Sequence, residues 1–253
     1  METVARLAAP LQSDEDRART SAEWARVGGG FTVAPAAEPV DLEALIARSA
    51  RQAPADARLF FVAASWVGVH YYLVNVRRLA RTLRGADALT SAVAGALLDV
   101  ANTVARSPRL TAAAAHCRPL AEPRVLFAGT ATDPWLAERA RRDTLPVYTR
   151  WGLYCDDLSL KTAAVRPVRW VVKHCPELRA RAVLGPNLDA AVVVALLGGP
   201  ASVRVLARAV GATYAATHEA VGRLAGRGLL RTERAGGPVA IAPELVRWLE
   251  LEQ

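Results

Sequence analysis

Apolar residues recur at intervals of three and four positions in several parts of the chain, a spacing typical of helices. Ala86–Val104 follows this spacing throughout and predicts one long helix. Leu59–Val76 carries no formal charge over 18 residues, a length at the lower limit for a membrane span. Its His70 and Asn75 would be costly in lipid, so the segment predicts a buried helix with His70 as a hydrogen-bonded core residue.

Capping residues mark the beginnings of further helices in the first two thirds of the chain. Asp41 is an N-cap candidate for a helix through Ser49, and Asp133 followed by proline is one for a helix through Arg142. Arg124–Phe127 is a short candidate strand. Because helical patterns dominate, the fold class predicted is mainly α.

Glycine and proline clusters divide the chain into three predicted parts. Residues 1–40 are a polar N-terminal segment and linker, which contains three consecutive glycines at 28–30. Residues 41–182 form a mostly helical domain of unknown type. A Gly-Pro pair at 185–186 marks the beginning of the third part, residues 183–253.

The third part has the most regular pattern. An apolar helical stripe over Leu188–Leu196 ends at a Gly-Gly-Pro sequence, and Ser202 then caps a second helix through Val210. Gly211 suits a tight turn that needs a positive φ. Thr213 caps a third helix through Leu224, with Thr217, Ala220, Val221 and Leu224 on the face predicted to be buried.

Two short strands and a last helix complete this part. Leu229–Thr232 and Val239–Ile241 flank a Gly-Gly-Pro turn and predict a hairpin. Pro243–Leu251 carries Leu245, Trp248 and Leu249 at helical spacing. This apolar stripe can pack on the preceding domain or on a second subunit.

The order helix, helix, turn, helix, hairpin over residues 188–243 resembles the winged helix-turn-helix domains of bacterial regulators of the MarR and ArsR types. Val203–Gly211, Thr213–Leu224 and Gly228–Leu230 carry the resemblance. It implies a C-terminal winged helix-turn-helix with a short β-hairpin, and the helical patterns before it predict a helical N-terminal domain.

The resemblance also implies a function: sequence-specific binding of double-stranded DNA by a transcriptional regulator. The three cysteines form no dense framework, which suits a reducing cytoplasm, and we expect no membrane partner. A homodimer of such a chain would bind a palindromic site. The third helix is then the recognition helix, and arginines contact phosphates. The implied DNA-binding residues are Ser202, Arg204, Thr213, Tyr214, Ala215, His218, Arg223, Arg231 and Arg234.

Glu219 and the charge distribution depart from this picture. Glu219 lies on the outer face of the recognition helix, where it would repel phosphate unless it accepts a hydrogen bond from cytosine. The formal net charge is +8, but basic and acidic side chains number eleven and eleven in residues 1–99, fourteen and seven in 100–182, and seven and six in 183–253. The excess therefore lies mainly before the predicted DNA-binding domain.

The basic middle region has a hypothesis of its own. We hypothesise that its basic residues form a second surface for an acidic partner, with Trp151 and Trp170 between them. The alternative is that these residues lie on separate helix faces and are simply solvated. Its basic residues are Arg139, Arg141, Arg142, Arg150, Arg166, Arg169, Lys173, Arg179 and Arg181.

A function from another class is also open, in which the chain is a non-catalytic subunit of a defence or toxin-antitoxin assembly. The winged domain then binds protein instead of DNA. Basic composition favours the DNA-binding hypothesis, since it suits nucleic acid. Salt dependence of DNA binding separates the two.

Catalysis and metal binding have little support. His116-Cys117, His174-Cys175 and Cys155 are potential zinc or redox residues, but no C-x2-C spacing occurs. Asp156-Asp157 with Lys161 resembles a nuclease cluster, although Ser159 occupies the position of the last acid. Phosphate-loop, dinucleotide and hydrolase motifs are missing. We therefore expect no enzyme activity, no cofactor and no metal.

Overall fold

The computed structural model of the protein describes residues 14–232 and 237–250. It is mainly helical, with 65% helix and two small sheets. Contacts divide the chain into two compact units. The first comprises the described residues up to Tyr71 together with Val76–Arg166, and the second comprises Tyr72–Asn75 together with the described residues from Pro167 onward. Each unit is described separately below.

The first unit contains nine helices and two strands within its described residues. The helices are α1 (Asp14–Arg26), α2 (Leu42–Gln52), α3 (Ala57–His70), α4 (Val76–Arg84), α5 (Ala88–Ala105), α6 (Pro108–Ala114), α7 (Ala128–Thr132), α8 (Pro134–Arg142) and α9 (Pro146–Thr149). Strands β1 (Arg124–Val125) and β2 (Leu153–Tyr154) pair in parallel. Asp41, Asp56, Asp87 and Asp133 cap helices through their carboxylates, as the pattern predicts for Asp41 and Asp133.

Close packing of α3 and α5 forms the centre of this unit. A Cβ at Gly68 would lie 2.9 Å from the carbonyl oxygen of Ala101, so the glycine permits the helices to approach closely. On α5, Gly95 makes room for the Trp151 ring, whose indole N–H donates to Asp99 at 2.9 Å. The predicted helix over Ala86–Val104 is confirmed as α5. The apolar segment from Leu59 is also buried, but α3 ends at His70 and a short 3-10 turn follows.

The first described residues belong to this core. The sequence pattern assigns residues 1–40 to a polar segment and linker, whereas Asp14–Arg26 forms α1. Its Trp24 is fully buried and donates from the indole N–H to Ser49 at 2.8 Å. A single large aromatic thus anchors a helix whose other residues are mostly polar.

Among the described helices, α5 alone is long and apolar enough to cross a membrane. Most of its residues are buried inside the unit, as in the core helix of a globular protein. The segment from Leu59, which is apolar over a similar length in the sequence, forms a helix of 14 residues.

The second unit contains six helices and an antiparallel hairpin within its described residues. They are α10 (Val168–His174), α11 (Pro176–Leu184), α12 (Leu188–Leu196), α13 (Val203–Val210), α14 (Tyr214–Gly226), β3 (Leu230–Thr232), β4 (Val239–Ile241) and α15 (Pro243–Glu250). The sequence pattern places a boundary after residue 182. The contacts instead group residues 167–182 with the C-terminal elements, because α10 packs on α11 and α11 packs on α12.

Helix α12 lies at the centre of the second unit. Val192, Val193 and Leu196 are buried in one cluster with Leu206 of α13 and Leu224 of α14. The cluster also includes hairpin residues Leu230, Val239 and Ile241. The predicted buried stripes of α12, α13 and α14 therefore form one core.

Helix α15 packs within its own unit. Its Leu249 is fully buried in the cluster around α12, and Arg179 of α11 donates a hydrogen bond to the Leu249 carbonyl. Arg179 also donates to the carbonyls of Val172 and, at 2.7 Å, Lys173. The apolar stripe that the sequence offers for packing on another domain or subunit is thus covered at Leu249 from inside the unit.

We expect the Gly95→Ala substitution to destabilise the protein. The added Cβ would lie 2.5 Å from carbon atoms of the Trp151 ring, so either α5 or the indole must shift. Overpacking of this kind costs about 1–3 kcal/mol of unfolding free energy. Urea denaturation followed by tryptophan fluorescence measures it.

Gly129→Ala is the matched control, because Gly129 also lies in a helix but has no neighbouring atom within 4 Å of the position that an added Cβ would take. It should be neutral or stabilising by up to about 1 kcal/mol, since alanine favours helix. Equal stabilities of the two variants would show that the Trp151 contact does not constrain α5.

Candidate nucleic-acid interface

Two capping hydroxyls and one glycine set the positions of α13 and α14. Ser202 Oγ accepts from the Val205 N–H at 3.4 Å, and Thr213 Oγ1 accepts from the Ala216 N–H at 3.2 Å. Between the helices, Gly211 adopts a φ of 64°, in the left-handed region that glycine enters without strain. The capping roles that the sequence predicts for Ser202 and Thr213 are confirmed.

A groove of about 570 Å³ lies between the first turn of α13, the exposed side of α14 and the hairpin. Arg204, Tyr214, His218 and Thr232 line it, together with Ser202. The Tyr214 and His218 rings stack with their centroids 6.0 Å apart and their planes at 24°. The groove therefore combines a cation, two aromatic rings and hydroxyl groups.

The outward side of α14 is fully accessible. Tyr214 is 57% exposed, and Ala215, His218 and Glu219 are exposed as well. The opposite side carries the buried residues Thr217, Ala220, Val221 and Leu224. Because one side holds the helix in the core, the other is free to contact a ligand.

One aspartate pairs with two arginines at the end of α14 and offsets one of their two charges. Arg223 Nη2 donates to Asp189 Oδ1 at 2.7 Å, and Arg227 Nη1 lies 3.8 Å from Asp189 Oδ2. The hydrogen bond and charge of Asp189 raise the pKa of Arg223. Arg223, a predicted phosphate contact, is therefore held by α12. The pair joins residues 34 positions apart, and no spacing rule in the sequence signals it.

Other exposed arginines of the second unit remain available. Arg204 and Arg208 on α13 and Arg231 on β3 are exposed and form no ion pair with another described residue. Arg234, also predicted to bind DNA, lies outside the described residues. The second unit as the contacts define it, from residue 167 to the end of the sequence, has eleven basic and seven acidic side chains, a larger excess than residues 183–253 alone.

The arginines of the middle region do not all present free charge. Four in the first unit pair with acids: Arg139 with Asp156 at 2.6 Å, Arg141 with Glu138 at 3.8 Å, Arg142 with Asp143 at 3.0 Å and Arg150 with Asp99 at 3.0 Å. In the second unit, Arg179 and Arg181 are buried and donate to backbone carbonyls. Of the nine basic residues in the hypothesis of a second basic surface, six are therefore paired with an acid or buried.

The residues considered for metal or redox chemistry lie apart. Within the described residues, no three His, Cys, Asp or Glu side chains converge as a metal site would require. Cys117, Cys155 and Cys175 are all buried. Asp156 pairs with Arg139, and Asp157 accepts from the backbone N–H and the hydroxyl of Ser159.

His70 is a core residue, as predicted. It is fully buried, packs against Trp66 with 4.9 Å between ring centroids and the planes tilted by 57°, and makes a 2.9 Å hydrogen bond with the Arg166 carbonyl through Nε2. Burial lowers the pKa of His70, which favours the neutral imidazole.

Comparisons with protein-family models, curated proteins and solved structures find no match to this chain.

We expect Cys117 and Cys155 to resist alkylation in the folded protein. Burial raises the pKa of each thiol to about 11, so the thiolate is scarce near pH 8. Iodoacetamide should modify them about a hundredfold more slowly than in concentrated urea, as measured by mass spectrometry. Rapid modification of either thiol in the native protein would contradict its burial and would revive a redox role.

Proposed function

We propose that the C-terminal unit contains a winged helix-turn-helix that binds double-stranded DNA, and that the protein is a bacterial transcriptional regulator. The groove between α13, α14 and the hairpin is the observation that carries this proposal. It brings Arg204, Tyr214, His218 and Thr232 together from three separate elements. The major groove of a duplex admits one helix, with phosphates on both sides of it. A recognition helix that lies beside a hairpin and an arginine in the first turn of another helix suits this arrangement.

The side chains divide by the part of DNA that they suit. Tyr214, Ala215 and His218 lie on the exposed side of α14, where they can reach base edges. Arg204 at the beginning of α13 and Arg231 on the hairpin are the proposed phosphate contacts. Ser202 and Thr213 add hydroxyls at helix N-termini, which favour anions.

The charges support the same function. Counterion release depends on cations that can pair with phosphate, and Arg204, Arg208 and Arg231 are exposed without an ion pair to another described residue. Arg223 and Arg227 contribute less, because Asp189 pairs with both and offsets one of their two charges.

We extend the proposal to a cytoplasmic homodimer on a palindromic site. Two copies related by a twofold axis would present two α14 helices to major grooves one helical turn apart, about 34–36 Å. Selection of bound fragments from a random DNA library tests binding and reports the symmetry of the site together.

A protein partner is the second candidate, favoured by an apolar cavity of about 230 Å³ between α11, α12 and α15. Val183, which lines it, is 63% exposed. In this alternative the chain is a non-catalytic subunit of a defence or toxin-antitoxin assembly, and the apolar cavity, not the groove, meets the partner.

Salt dependence distinguishes the two candidates. Three phosphate contacts per chain predict that affinity for a labelled random-sequence duplex falls about 40-fold between about 50 and 200 mM salt. Arg204→Ala with Arg231→Ala should lower the slope of log affinity against log salt by about two and weaken binding to every sequence. Fluorescence anisotropy measures both.

Arg247→Ala is the control for this experiment, because Arg247 is also exposed but lies on α15. It should leave the slope unchanged. Wild-type protein that binds no duplex even at low salt would overturn the DNA-binding proposal and favour a protein partner.

Replacement of Tyr214 and His218 by alanine should remove selectivity instead. We expect a loss of about 1–3 kcal/mol per base contact on the selected site, with little change on random DNA. Competition between the selected duplex and random DNA measures the ratio. An unchanged ratio would show that these two residues of α14 do not read the bases.

A further inference from the structure

Glu219 is an acidic side chain on the outward side of a helix proposed to bind an anion. It is exposed, as are its neighbours Ala215 and His218, and it lies nearly opposite the buried stripe of α14. A carboxylate in this position is repelled by phosphates and lowers the affinity for every duplex. Its presence therefore needs a reason.

An ion pair within α14 is the usual explanation for such a glutamate, and here it fails. Glu219 and Arg223 have the i, i+4 spacing that suits a helical pair. Arg223, however, donates its hydrogen bond to Asp189 of α12 at 2.7 Å. Glu219 attracts Arg223 only through its charge and makes no hydrogen bond or salt bridge with another described residue. Its carboxylate oxygens thus remain available to a ligand.

The major groove offers few donors to a carboxylate. Guanine presents two acceptors there, and thymine presents an acceptor and a methyl group. Adenine presents its 6-amino donor beside the N7 acceptor, which would repel the second carboxylate oxygen. Cytosine presents its 4-amino donor without a neighbouring acceptor on the same base, so it is the base that Glu219 suits best.

We propose that Glu219 is a specificity-determining residue that accepts a hydrogen bond from the 4-amino group of cytosine. This inference rests on the proposed DNA-binding function of α14. The carboxylate repels phosphates and so weakens binding to all sequences. Its hydrogen bond restores the lost affinity only where a cytosine lies opposite it. Specificity then arises partly from repulsion at the wrong sites.

The experiment uses the full-length protein and the duplex that it enriches most strongly from a random library. Each base pair of that duplex is replaced in turn, and affinities are measured for the wild type, Glu219→Gln and Glu219→Ala. Glu244→Ala is the matched control, because it removes the same charge from an exposed position on α15. Circular dichroism confirms that the variants are folded.

We expect replacement of one cytosine in the site to weaken wild-type binding about 10- to 100-fold. Glu219→Ala should lose this preference and bind random duplex more tightly than Glu244→Ala does. Glu219→Gln should prefer adenine at the same position, since an amide pairs with both the amino group and N7 of adenine.

Two results would overturn the inference while the DNA-binding proposal stands. One is salt-dependent DNA binding by the wild type in which replacement of any cytosine in the site leaves the affinity unchanged. This result needs no protein variant. The other is a cytosine preference that survives Glu219→Ala. Absence of any duplex binding by the wild type would instead overturn both proposals.

Discussion

The second unit depends on the burial of α12, which is apolar on almost every side. Of its nine residues only Asp189 carries a charge, and such a helix is stable in water only when neighbours cover it. Helices α11, α13 and α14 and strand β4 all contact it. Each of these elements is amphipathic or short and has its own buried residues in the same cluster. The arrangement of α13, α14 and the hairpin around a groove thus follows from the need to cover one helix.

The charge of α12 also determines which arginines can contact a ligand. Asp189 lies in the first turn, where the helix dipole stabilises a carboxylate, and only 6% of its surface is exposed. Burying it without a cation would be costly, and Arg223 and Arg227 supply the positive charge. The pairing fixes one edge of α14 against α12. It also distinguishes the arginines: Arg223 and Arg227 share Asp189, while Arg204, Arg208 and Arg231 form no ion pair with a described residue.

Local signals in the sequence predict much of this unit. Ser202, Thr213 and Gly211 act within three or four residues of their positions, through hydrogen bonds and a backbone angle that depend on residue type. The predicted helix ends and strands therefore agree closely with the structure. Trp24 and Asp189 escape prediction, because their partners lie 25 and 34 residues away and nothing in the spacing identifies them. The grouping of residues 167–182 with the C-terminal elements is hidden for the same reason.

Net charge illustrates the difference between composition and a binding surface. The chain has a formal charge of +8, and most of the excess lies in residues 100–182. There, however, four arginines of the first unit are paired with acids, and Arg179 and Arg181 are buried. Residues 183–253 have almost no net charge, yet four of their described arginines, Arg204, Arg208, Arg231 and Arg247, are exposed without an ion pair to another described residue. Because only cations free to exchange a counterion for a phosphate contribute to DNA affinity, the number of unpaired exposed arginines in a unit matters more than its formal charge.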